Sequence, residues 1–145
     1  MTMKEIQEKV VTTMRNWQKV EKDSIASTGQ IIQKTNNPII HLVMEIIQRD
    51  SQMHYQVQER IANSLESEAP SLSPDELAQV WSLIERHIAI EKKMLESAAQ
   101  MLDLLKGKGM PLQRYLISYL VDDERKHNNL LSSLEDIKLG MHRGA

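Results

Sequence analysis

The stretch VDDERKHNNLLSSL, Val121 to Leu134, sets two aspartates, a glutamate and a histidine into an amphipathic pattern. Glu124 and His127 stand three residues apart, a spacing that brings a carboxylate and an imidazole to one side of a helix. Stepping back from Leu134 by fours and threes meets Leu130, His127, Asp123, Leu120 and Leu116, so titratable groups share a stripe with leucines. The same interruption recurs elsewhere. Glu21 follows the apolar seam Ile6, Val10, Met14 and Trp17. Asp50 and His54 break the run of Ile39, Val43, Ile46, Val57 and Ile61. His87 and Glu91 break the run of Leu77, Trp81, Ile84, Leu95 and Ala98.

Energetics limit what such a polar layer can be. A carboxylate taken out of water costs several kcal/mol unless it is paired, and carboxylates that share a site raise one another's pKa. A divalent cation resolves both problems. Imidazole nitrogen with carboxylate oxygen suits iron, manganese or zinc, whereas calcium and magnesium take oxygen alone. The competing reading is a metal-free network of Asp–His and Glu–His pairs. For one histidine or glutamate alone that reading wins; four coincident interruptions favour metal.

These residues need helices to carry them. TNNP (Thr35 to Pro38), SEAPSLSPDE (Ser67 to Glu76) and KGKGMP (Lys106 to Pro111) are the clusters of turn formers before Gly140. They leave four predicted helices, 3–34, 38–66, 74–106 and 111–139. Ser73, Pro74 and Glu76 give the third an N-cap, a first-turn proline and a capping box, and Gly140 is a stop for the fourth. The polar residues fall near the middle of each helix. Five Gly, four Pro and no Phe among many Gln, Glu, Leu, Ile and Met also favour helix over sheet.

The halves resemble each other. Adding 73 carries Pro38 onto Pro111, Asp50 onto Asp123 and His54 onto His127. Adding 70 carries Val20-Glu21-Lys22 onto Ile90-Glu91-Lys92, and Val10, Met14 and Ile32 onto Val80, Ile84 and Leu102. The pattern predicts an all-α chain built from two repeated helical hairpins.

At 145 residues the chain fits a single domain, 1–145, with enough length for a core. It has no cysteine, which excludes disulfides, thiolate metal sites and a thiol nucleophile. The net charge of −2, with both signs interspersed, gives no footprint for nucleic acid or a membrane surface. MTMKEIQEKV lacks a signal peptide's apolar run, and no stretch reaches the ~18 apolar residues of a membrane span, so the expected location is cytoplasmic.

Glu on the first helix, Glu on the third and Glu-x-x-His on the fourth resemble the di-metal carboxylate signature of the ferritin-like superfamily, nearest its rubrerythrin-type branch. The resemblance spans the whole chain and implies a ferritin-like four-helix bundle. Carried onto this sequence, Glu21 and Glu91 would be terminal carboxylates, Glu124 and His127 the intact ERKH motif, and His54 the histidine of the second helix. One position departs: the second helix reads SQMH, with Ser51 where a glutamate belongs. Asp50 or His87 could fill the vacancy. Asp123, and by repetition Asp50, could instead accept the free N–H of a ligating histidine and fix its tautomer.

The resemblance implies iron, single or dinuclear, with manganese or zinc as substitutes, and a reaction with O2 or peroxide or the oxidation of Fe(II). Without cysteine the chain has no rubredoxin-type centre, so peroxide reduction would need an external electron donor. Wide apolar stripes suggest a homodimer. Two other functions compete. One is a helical scaffold or interaction module with a degraded or structural zinc site, for which Ser51 argues. The other is a hemerythrin-like oxygen carrier, suggested by the His-x-x-x-Glu spacing of HIAIE and opposed by the absence of histidine on the first helix. Trp17, the counterpart of His87, is expected to wall the site. Tyr55, Tyr115 and Tyr119 read as packing residues, the nine scattered methionines as gap-fillers, and His41 and His142 as solvent residues. If the second and third helices both run full length, their connection must be a simple up-down turn; a ferritin-like crossover requires the second to end early or the third to start late. The resemblance implies the latter, with fraying or an extended segment between Ile61 and Ala78.

Overall fold

The computed structural model describes residues 1–67, 70 and 72–139; Gly140 and His142, given roles above, lie outside the described residues. Four helices and no strand are present among them: α1 (Met3–Lys34), α2 (Pro38–Glu66), α3 (Pro74–Leu104) and α4 (Pro111–Lys138). Local chemistry sets their ends. Thr2 Oγ1 accepts the Glu5 N–H at 3.1 Å while Glu5 Oε2 accepts the Thr2 N–H at 2.9 Å, a capping box that starts α1. Asn37 Oδ1 takes the N–H groups of Ile39 and Ile40, and Pro38 occupies the first turn of α2. Ser73 and Glu76 form the capping box expected for α3. Gly107 and Gly109, at φ 67° and 68°, adopt the left-handed conformation that a side chain resists, and with Leu105 they end α3 before Lys106.

The late start expected for the third helix is not found. α2 runs unbroken to Glu66, where Ser67 donates both its N–H (2.9 Å) and its hydroxyl (2.8 Å) to the Asn63 carbonyl. α3 begins at Pro74 because the Ser73–Glu76 box fixes it there.

The chain divides into two compact units, Met1–Pro70 and Ser71–Ala145, each a helical hairpin: α1 lies against α2, and α3 against α4. The interior of the first is notably polar. Gln18, Thr28, Ser51 and Gln58 are buried there with Met14 and Ala62. Each residue has at least one partner, though Gln58 Oε1 is itself buried without one. Gln18 Nε2 donates to Glu59 Oε2 (2.7 Å) and to the Tyr55 carbonyl (3.3 Å), and the Thr28 hydroxyl donates to the Ser24 carbonyl (2.9 Å). Arg15 binds Glu59 at 2.6 Å and reaches Asn63 and Glu66. The Gln18 amide and then the Arg15 guanidinium hold the Glu59 carboxyl below its ordinary range. The second hairpin buries Leu77, Ala98 and Val121.

Most of each stripe read from sequence is shielded: Met14, Leu77 and Ala98 are buried, and Val10, Glu21, Ile39, Val43, Ile46, Ile84, Glu91, Leu95, Leu116 and His127 are half-buried, so the departures are local. In α4 Val121, Glu124, Asn128 and Leu131 also turn inward, while Leu120 and Leu130 are exposed. In α2 Ser51, Gln58 and Ala62 are buried, while Val57 and Ile61 are exposed. In α3 Ile88 turns inward instead of His87. Trp17, expected as a wall, is exposed as well. The apolar stripes are wider than one helix–helix contact needs, and periodicity alone cannot say which edge a single neighbour covers.

Candidate metal centre

Glu91 on α3 and Glu124 and His127 on α4 converge: one ligand atom from each lies within 4.8 Å of the other two. His127 Nδ1 stands 3.4 Å from Glu91 Oε2 and 3.7 Å from Glu124 Oε2. The helix itself arranges this, because side chains lean toward the N-terminal turn and His127 therefore lies over Asp123 and Glu124.

The other ring nitrogen, Nε2, is 3.3 Å from Asp123 Oδ2, and Lys126 holds Asp123 Oδ1 at 2.9 Å. Two placements of the imidazole proton are available: on Nε2 toward Asp123, or on Nδ1 donating to Glu91 Oε2 at 3.4 Å, the contact that has hydrogen-bond geometry. With the proton on Nε2, the Nδ1 lone pair faces two carboxylate oxygens, three acceptors with no donor among them. Glu124 Oε2 is moreover buried without a hydrogen-bond partner. A second proton, on Nδ1, would serve one carboxylate through a long contact and leave the other unsatisfied. A divalent cation serves all three. With bonds of ~2.1 Å, a tetrahedral ion has ligand–ligand edges of about 3.4 Å, close to the observed separations. The donor set therefore fits iron, zinc or manganese. An open groove lined by Ile90, Glu91, Lys93, Met94, Ser97 and Glu124 leads to the two glutamates from solvent.

The first hairpin carries the related pair, Glu21 Oε2 and His54 Nδ1, 3.6 Å apart. Its third member is missing. Ser51, at the position expected for a glutamate, is 4% exposed and shares a 2.8 Å hydrogen bond with Ser24 Oγ. Gln58 Nε2 donates to Glu21 Oε2 at 3.1 Å, giving that oxygen a proton donor where Glu124 Oε2 has none. His54 is 61% exposed, and no hydrogen bond or ion pair joins it to Asp50 among the described residues. Of the residues expected from sequence, the structure thus brings Glu91, Glu124 and His127 together with Asp123 behind the histidine. Glu21 and His54 form a lesser pair, and Asp50 stands apart from it. His87 touches Glu91 but is not in the converging group.

Gln58 and Ser24 escaped the sequence reading because amide and hydroxyl side chains carry no metal-ligand signal. Their spacing was available: Gln58 follows Ser51 by two helical turns, and Ser24 follows Glu21 by one. Comparison of the chain with family models, curated proteins and solved structures finds no match.

Proposed function

We propose that this is a metal-binding helical protein of ferritin-like type, with Glu91, Glu124 and His127 as its ligands and iron as its ion. The observation that carries the reading is the convergence of three ligand-type atoms, His127 Nδ1 and one oxygen each from Glu91 and Glu124, the Glu124 oxygen being buried and unpartnered. Asp123 supports it because, 3.3 Å from Nε2, it would favour the tautomer that leaves Nδ1 free to bind an ion. The Glu21–His54 pair supports a duplicated origin, since Glu21 and His54 map onto Glu91 and His127 by the offsets of 70 and 73.

Iron held there would supply electrons to O2 or peroxide, or would itself be the substrate as Fe(II) is oxidised. The chain's own part is to hold the ion with two carboxylates and one imidazole, leaving coordination positions open toward the groove beside Glu91. Continued peroxide reduction requires an external electron donor. Anaerobic titration with Fe(II), followed by air and absorbance, tests the reading: about one tight site per chain and prompt oxidation are expected. Protein that binds neither Fe(II) nor Zn(II) would rule it out.

A second reading keeps the site and changes its use. Two carboxylates and an imidazole also suit zinc, and the first hairpin, where Ser51 and Gln58 have closed the equivalent position, favours a scaffold with a structural ion. Elemental analysis of protein purified without added metal separates the two. Zinc, with no oxidation chemistry after iron loading, would select the scaffold.

A further inference from the structure

We infer that His87 is a positioning residue for the metal ligand Glu91, holding one carboxylate oxygen so that the other points at the ion; this rests on the metal reading above. His87 Nε2 lies 2.9 Å from Glu91 Oε1, while the opposite oxygen, Oε2, is the one 3.4 Å from His127 Nδ1. The two contacts divide the carboxylate between two tasks.

The geometry distinguishes positioning from ligation. Glu91 as a carboxylate only accepts, so the 2.9 Å contact requires the proton on His87 Nε2. A protonated nitrogen has no lone pair for a metal. His87 therefore cannot bind through that atom while it holds Glu91. The contact also follows from the helix: His87 is one turn before Glu91, and the Glu91 side chain leans back toward that turn. Glutamate has three side-chain torsions to order. An N–H fixed on Oε1 restrains the last of them and favours one-oxygen coordination through Oε2.

A difference between the hairpins is informative. Glu91 and Glu21 are equally shielded, with side chains 13% exposed, and each faces a histidine across its hairpin. The residue one turn before Glu21 is Trp17, whose indole N–H has a different reach. There Gln58, from the opposite helix, donates to Glu21 Oε2, the same oxygen that faces His54. In the first hairpin the donor occupies the oxygen a metal would need; in the second it occupies the other one.

The test uses Co(II), whose visible bands report coordination, on the full chain. His87→Ala should weaken Co(II) binding by roughly 10–100-fold, the usual effect of losing such a partner, while the bound protein keeps its band positions. His87→Gln, whose amide can donate to Oε1, should recover most of the affinity. Glu91→Ala and His127→Ala should lose binding outright. If His87→Ala binds Co(II) as tightly as the parent while Glu91→Ala fails, His87 is a bystander and the inference falls alone. Shifted bands in His87→Ala, with no recovery in His87→Gln, would make His87 a ligand and also overturn it. No Co(II) binding by the parent would remove the site reading and this inference with it.

Discussion

His127 stands among three carboxylates, and each has a different task available. Asp123 lies against Nε2, while Glu91 and Glu124 face Nδ1, the nitrogen proposed to bind the ion. Asp123→Asn should accordingly weaken metal binding by about 10–100-fold and leave the site recognisable, whereas Glu91→Ala should abolish it. Isothermal titration of both variants with Zn(II) checks this, and equal losses would promote Asp123 to a ligand. Ser51 invites the reverse experiment. It is buried against Ser24, so Ser51→Glu alone places a carboxylate where only a hydroxyl answers it and should destabilise the metal-free chain by about 3 kcal/mol. Combining it with Gln58→Leu, which copies Leu131 at the offset of 73, also removes the donor on Glu21 Oε2. Metal content of the double variant should then rise by about one ion per chain. Elemental analysis showing no rise would mean that Glu21 and His54 cannot complete a site. The sequence made the ERKH spacing and the serine gap legible because helical periodicity and one shared offset reveal both. It could not show which oxygen of Glu91 faces which histidine, since that depends on rotamers across two helices.

The helices themselves were the most legible part. Proline in the first turn of α2, α3 and α4 and the Ser73–Glu76 box mark boundaries through local chemistry, and the observed ends fall within about two residues of those expected. Ser73→Ala removes the acceptor for the Glu76 N–H and should lower stability by about 1 kcal/mol, readable as a lower urea midpoint. What periodicity could not supply was where the contact face leaves the stripe, as at Trp17, Val57, Ile61, Leu120 and Leu130. Polar residues took the inside of the first hairpin, where most of their hydrogen bonds are met, Gln58 Oε1 excepted. Arg15, Gln18 and Glu59 form one such set. Glu59 is held below its ordinary range by the Gln18 amide and the Arg15 guanidinium, so its ionised form is favoured by folding. The sign follows: that stabilisation is present above the carboxyl's unfolded pKa and is lost as pH falls through its folded one. Glu59→Gln should therefore be less stable than the parent at neutral pH, with the gap closing in acid. A gap that stays constant across the acid limb in urea melts would assign the effect to packing instead.

Each hairpin, taken by itself, leaves apolar side chains uncovered, among them Trp17 and Val20 in the first and Leu83, Ile90, Leu104 and Leu130 in the second. No helix is long and apolar enough to cross a membrane among the described residues. The homodimer expected from sequence is open to test by sedimentation velocity across a hundredfold range of concentration, where a sedimentation coefficient that does not change would count against it. Metal should act on stability at this scale too. The second hairpin brings two glutamates and a histidine together at the cost of crowding acceptors, and an ion that binds this arrangement but not the unfolded chain stabilises the fold by mass action. At free metal a hundredfold above Kd the gain is about 2.7 kcal/mol, which for a chain of this size is a rise in Tm of roughly 6–11 °C. Protons compete for the same three atoms, so the gain should shrink as the solution is made mildly acidic, and EDTA should remove it at neutral pH. The Glu91→Ala variant supplies the control: its Tm should respond to neither metal nor chelator. A parent protein whose melting ignores metal, chelator and mild acid would leave the convergence around His127 as a proton-bridged polar cluster and take the proposed iron chemistry away with it.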